Sequence, residues 1–166
     1  MEPSHHEPGH LEPNRAPSDR ATIDRLARQA TTHCLTGCAI GEVAGMVVSG
    51  LAGLGATASI AISILLAFVF GYGLTLWPLL RSGMRAGAAG RLAIASDTIS
   101  ITVMEAIDNL TILVVPGAMA AGLGDLLFWL SLAGGFALAW VITYPVNRWL
   151  IARGRGHAVI HGAHRG

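Results

Sequence analysis

Four apolar stretches, at about 32–54, 59–80, 92–115 and 126–151, each come close to the roughly 20 residues that a helix needs to cross the hydrocarbon core of a bilayer. That repetition leaves few folds open. Lipid offers no hydrogen bonds, so each stretch must satisfy its own backbone as a helix, and four helices joined by short connections pack as a bundle. The expected fold is an all-α integral membrane protein, a four-transmembrane-helix bundle whose membrane domain spans 31–153. Composition agrees, with 52% hydrophobic and only 13% charged residues. A net charge of +1 supplies no field that would gather nucleic acid, which is excluded as a partner; membrane lipid is the expected surrounding.

Arginine orients the bundle. Arg15, Arg20, Arg25 and Arg28 precede the first stretch, Arg81, Arg85 and Arg91 lie between the second and third, and Arg148, Arg153, Arg155 and Arg165 close the chain. The connections near 55–58 and 116–125 hold no Arg or Lys, so the positive-inside rule places both termini and the middle loop in the cytoplasm, N-in and C-in. Residues 1–20, with Pro and His among acids, are too polar to pack and are expected to be a disordered tail. Residues 21–30 alternate Ile23, Leu26 and Ala27 with Asp24, Arg25 and Arg28, the pattern of an amphipathic helix on the membrane surface. Residues 154–166 form a His-containing cytoplasmic tail.

The first apolar stretch is the least hydrophobic, because it carries His33, Cys34, Cys38 and Glu42 among glycines and threonines. On a helix Cys34, Cys38 and Glu42 form one stripe, and His33, Gly37, Gly41 and Gly45 form the stripe beside it. Glycines at this spacing let a neighbouring membrane helix approach closely, so the thiols and the acid are expected to face protein rather than lipid. The third stretch places Asp97, Met104, Glu105 and Asp108 on one narrow face, joined by Ile101. Acids inside a membrane segment cost about 2.5–3.5 kcal/mol each on insertion, and several on one face point to a functional site.

Depth follows from helical rise. Counted from the ends chosen above, Glu42 lies about 15 Å deep and Glu105 about 20 Å, so the two are expected to face each other near the midplane. They would share a cation or a proton, since two adjacent carboxylates without a cation do not both ionise. Asp97 sits nearer the cytoplasmic surface, level with Cys34 and Cys38, where it either joins the ligands or caps the third helix and pairs with Arg91. The tail returns His157 and His161, four residues apart, to the face that also carries His33 and the cysteines. Thiolate and imidazole at that mouth suit Cu, Zn or Fe, and the midplane carboxylates suit a divalent ion or protons. Two readings stand for the cysteines, ligands or small packing residues, because Cys-x3-Cys is less specific than a Cys-x2-Cys knuckle.

Taken together, the motifs His33-Cys34-x3-Cys38-x3-Glu42, Asp97-x7-Glu105-x2-Asp108-Asn109, Tyr144-Pro145-x-Asn147-Arg148 and Gly156-His157-x3-His161 resemble a family of small bacterial four-helix membrane proteins classed as a domain of unknown function. The resemblance spans about 30–164 and implies a four-helix architecture in the bacterial cytoplasmic membrane; it implies no activity. From the residues themselves, the expected role is to bind a transition-metal cation, captured at the Cys/His mouth and held by the midplane acids, and to transport or sequester it. One alternative is a membrane oxidoreductase with a carboxylate-rich metal centre, although the Glu-x-x-His pairs of soluble di-iron bundles are missing. Another is a scaffold subunit whose acids pair with a partner. Four helices rarely enclose a pathway alone, so a homo-oligomer or a membrane partner protein is expected in each case.

Overall fold

A computed structural model describes residues 20–153, and the two tails of the sequence lie outside the described residues. Four long helices follow one another: α1 (Arg20–Leu51), α2 (Ala56–Arg81), α3 (Ala86–Val114) and α4 (Leu126–Ala152), with a single 3-10 turn at Ala118–Ala120 before α4. No strand occurs among the described residues. α1, α2 and α4 are each long and apolar enough to cross a membrane.

The helices end where glycine lets them. Gly53, at φ 64°, and Gly83, at φ 85°, take the left-handed conformation that closes a helix. In the first, Leu54 N–H reaches back to Ser49 O and Gly53 N–H to Gly50 O; in the second, Met84 and Gly83 do the same to Leu79 and Leu80. These paired bonds satisfy carbonyls that the helix end would leave open. The turns are short, so successive helices run antiparallel and α1 is parallel to α3.

The segment 21–30 is not a separate surface helix. No Gly or Pro interrupts the chain between Arg20 and Thr36, and α1 runs through as one helix of 32 residues, about 48 Å at 1.5 Å per residue. The apolar face of this first part packs on protein: Ala27 and Ala30 are buried against Ile151 of α4, with Ile23, Leu26 and Tyr144 around them. The other three stretches lie close to the expected limits, although α3 begins at Ala86, earlier than the hydropathy pattern marks.

Each helix packs on its two neighbours in chain order and α4 closes on α1, a square in which α1 and α3 face each other across a diagonal. The tightest seam is α1 on α2. A Cβ on Gly37 would stand 2.6 Å from Gly71 Cα, one on Gly41 would overlap the backbone of Ala67, and one on Gly45 would overlap Ser63. The two helices thus meet through small residues on both sides, Gly37, Gly41 and Gly45 against Gly71, Ala67 and Ser63, the close approach that small-xxx-small spacing permits. With α2 seated on that stripe, the adjoining stripe of α1 is turned to the bundle interior.

Candidate functional site

Cys34, Cys38 and Glu42 are all buried, as are Asp97, Glu105 and Asp108 on α3. Because α1 and α3 run parallel, their stripes meet as successive rungs. Cys34 lies beside Asp97 and Ser100. One turn on, Cys38 lies beside Glu105, and one turn further Glu42 faces Asp108, with Glu105 as a second neighbour. Met104 and Ile101 fill the space between the rungs together with the two cysteines, Ala67 and Ala139.

The pairing differs from the expected one by about a turn. Glu42 meets Asp108 first, and Glu105 belongs to the Cys38 rung. The reason is that a hydropathy boundary does not mark a helix end: α1 begins twelve residues before position 32 and α3 six before position 92, so depths counted from those positions slide against each other.

The carboxylates are short of partners. Both carboxyl oxygens of Glu42, of Glu105 and of Asp108 are buried and meet no donor of good geometry among the described residues; what lies nearest is Asp108 for Glu42 and the Cys38 thiol for Glu105. Such groups normally find donors, because leaving one unsatisfied costs about 1–3 kcal/mol. Among the described residues no cationic side chain stands in the layer either. The arginines of the described helices gather at the opposite end, and the residues that face the acids are Cys38 and the acids themselves. Asp97 is different, since its Oδ1 accepts from Ser96 Oγ at 2.9 Å.

Residues with no obvious chemistry hold this layer open. A Cβ at Gly135 of α4 would collide with Asp108 Oδ1, so only glycine leaves the carboxyl its place. Ser63 of α2 donates to the Glu42 carbonyl at 3.3 Å, and Asn109 donates to the Glu105 carbonyl at 2.8 Å, which ties both acid-bearing turns by their backbone and leaves the carboxyls alone. Neither Gly135 nor Ser63 stood out in the sequence. Ser63, Ala67, Gly71 and Thr75 do recur every fourth residue along α2, a stripe of small residues masked by the Ile, Leu and Phe between them.

Glu42 also borders a cavity of about 470 Å³ at the end of the bundle away from the arginines, between the α1–α2 turn and the connection into α4. Its wall includes Met46, Ile60, Ile112 and Phe128, with Ser63 and Asn109 as polar points. At the arginine-rich end the bundle is instead laced by neutral hydrogen bonds. Asn147 accepts from Ser100 and donates to Thr31 at 2.9 Å, Thr31 donates to the Ala27 carbonyl at 2.8 Å, and the Tyr72 hydroxyl pairs with Thr98 at 2.8 Å.

His33 belongs to this lacing. Its Nε2 pairs with Thr75 of α2 at 3.1 Å, on the side of the glycine stripe, so it does not join Cys34 and Cys38 at a common point. His157 and His161 lie outside the described residues. Among the described residues no three His, Cys, Asp or Glu side chains are gathered closely enough to hold a metal ion as they stand; what the bundle presents is pairs.

A family profile described as "Domain of unknown function (DUF4396)" matches residues 25–156. The chain belongs to that family. The match takes in α1 to α4 and every rung just described. No curated protein matches the chain. No solved structure matches it either.

Proposed function

We propose that this member of the DUF4396 family is a four-crossing protein of a bacterial cytoplasmic membrane, with both termini inside, that binds a transition-metal cation at its buried acids and transports or sequesters it. One observation carries the reading: six buried carboxylate oxygens, on Glu42, Glu105 and Asp108, without a donor or a cationic side chain. A site that the protein's own groups leave unsatisfied is one that a cation or protons complete. Oxygen ligands from two facing helices with the Cys38 thiol next to them match Zn or Fe, and Cu where sulfur dominates.

The fourth crossing is supported by what α3 shows outside. Its acids point inward while Ile94, Ile99, Leu110 and Leu113 are exposed, a surface suited to acyl chains and not to water. Arg81, Arg85, Arg148 and Arg153 share one end with the start of α1, which supports the cytoplasmic assignment of that end. A cation entering the layer meets Glu42 and Asp108 one turn from Glu105 and Cys38, and drawing these two rungs onto one ion supplies three oxygens and one sulfur.

Metal analysis of the purified protein in detergent tests this. Wild type is expected to carry or take up close to one equivalent of Zn, Fe or Cu, and Glu42→Gln and Asp108→Asn are each expected to lose it while keeping helical content. Equal metal in all three proteins overturns the reading.

A further inference from the structure

The cavity beside Glu42 is larger than an ion needs. Six waters around a metal occupy roughly 180 Å³, at about 30 Å³ per water, while the cavity measures about 470 Å³ and falls in the range of about 300–1,000 Å³ typical of pockets for small organic molecules. Its wall is also wrong for a hydrated ion. Leu54, Ile60, Ile112, Leu123 and Phe128 make up most of it and offer contact to carbon and no ligand to a metal, while Met46 and the neutral Ser59, Ser63, Asn109 and Ser131 add no charge.

Charge sits at one place only. Glu42 is 4% exposed, lines the cavity, and has no hydrogen-bond partner for either carboxyl oxygen. Among the described residues no Arg lines the wall to neutralise it. An occupant that fits therefore has a single positive charge to set against Glu42 and an apolar body to fill the remainder, with Phe128 as an aromatic surface on which a cation gains further attraction. A neutral molecule of the same shape would leave the acid as it was, and an anion would be repelled by Glu42 and Asp108.

We propose that the cavity binds a monovalent organic cation, a hydrophobic ammonium compound whose charged head sits against Glu42 and whose body fills the space between α1, α2, α3 and the connection into α4. The site goes beyond metal binding and shares only Glu42 with it. In the proposed topology it opens on the non-cytoplasmic side, so the occupant arrives from outside the cell.

Benzyltrimethylammonium is a direct probe, and neopentylbenzene is its uncharged isostere, with carbon in place of nitrogen. Equilibrium dialysis on the full chain in detergent is expected to show saturable binding of the cation, at least tenfold weaker binding of the isostere, and at least a tenfold loss with Glu42→Gln. Ile112→Trp fills the cavity from α3 and removes no carboxyl; it is expected to abolish probe binding and to leave metal content unchanged. Each variant is checked for an unaltered thermal transition. Equal binding of the two probes, binding that survives both substitutions, or no saturable binding to wild type overturns the proposal. Metal loss in Glu42→Gln alongside any of these leaves the metal site standing and removes only the organic cation, so the two failures are told apart.

Discussion

The two ends of the bundle solve the problem of polar groups in an apolar interior in opposite ways. Toward the arginine-rich end, Thr31, Ser100 and Asn147 are buried but bonded to one another across α1, α3 and α4, and Tyr72 is bonded to Thr98 across α2 and α3. These groups are uncharged and their demands are met inside the protein, so they fix how the helices pack. One or two turns along, Glu42, Glu105 and Asp108 are as well buried and their carboxyl oxygens are not met. A satisfied network makes one structure specific, whereas an unsatisfied one is a cost that something else must offset. The contrast separates the part of the bundle whose polar groups hold shape from the part where the proposed ligand would sit.

The sharpest way to break this division is to disturb the seam on which both ends depend. Gly41→Ala sets a methyl group into the backbone of Ala67 and Leu66, which cannot move aside as a side-chain tip would. The expected loss is about 3 kcal/mol or more, at the upper end of overpacking costs, with α2 displaced and Glu42 out of register. Thermal unfolding in detergent, followed by helical circular dichroism, reads it; a transition within a degree of wild type would mean the seam is looser than described. Next in size is Asn147→Ala, which strips Ser100 and Thr31 of their partner and is expected to cost about 2 kcal/mol. If the arginine-rich end only holds shape, this variant keeps its full metal content.

Much of the fold was legible, and so was part of the site. Four runs of apolar residues dictate four helices, and the glycine stripe of α1 told which side a neighbouring helix would cover, because a residue without a side chain is the plainest mark of close approach, though not that the neighbour would be α2. Cys34, Cys38 and Glu42 share a face by spacing alone. The register between α1 and α3 was not legible, since it depends on where Gly53 and Gly83 stop the helices and on how side chains interlock, and neither follows from hydropathy. For the same reason Glu42 was matched to Glu105 when its first neighbour is Asp108. Gly135 was invisible for another reason: its role is to be absent where Asp108 needs room, and a glycine in an Ala- and Gly-rich helix carries no label. The 21–30 segment misled because amphipathic spacing reports an apolar face without saying whether lipid or another helix covers it.

A smaller effect, of opposite sign, sharpens the comparison from the ligand end. Replacing Glu42 and Asp108 together by Gln and Asn keeps shape and removes two buried acids that lack donors. In metal-free protein the double variant is expected to be more stable than wild type by about 1 kcal/mol, because two amides bring four N–H donors where the acids have at most a shared proton. Saturating metal should then stabilise wild type and leave the variant unchanged, since only a state that binds is favoured by mass action. Thermal midpoints with and without metal decide the matter. Destabilisation of the metal-free variant would mean that the acids are themselves part of the packing, and the contrast between the two ends would disappear.

The least effect is expected outside the apolar layer, at the arginine-rich tip. There Arg148 Nε donates to Asp24 Oδ1 at 2.5 Å, the arginine exposed and the acid partly so. The hydrogen bond from Arg148, opposed by a cost of burial and helped by the Arg148 charge and a hydrogen bond with Tyr144, holds the Asp24 carboxyl below the usual carboxylate range. A carboxyl lowered in the folded state binds protons less readily there than in the unfolded chain, so its contribution to stability is present above the unfolded value of about 3.9 and is lost as pH falls through the lower folded one. Wild type should therefore unfold at a slightly higher temperature than Asp24→Asn at pH 7, and the gap should close as pH falls below the unfolded value of about 3.9. Salt should narrow it too, since an exposed pair is readily screened. Identical midpoints for the two proteins at pH 7 and low salt would show that the tie between α1 and α4 at this end rests on Ala27, Ala30 and Ile151 and on the Asn147 network, with the ion pair adding nothing to it.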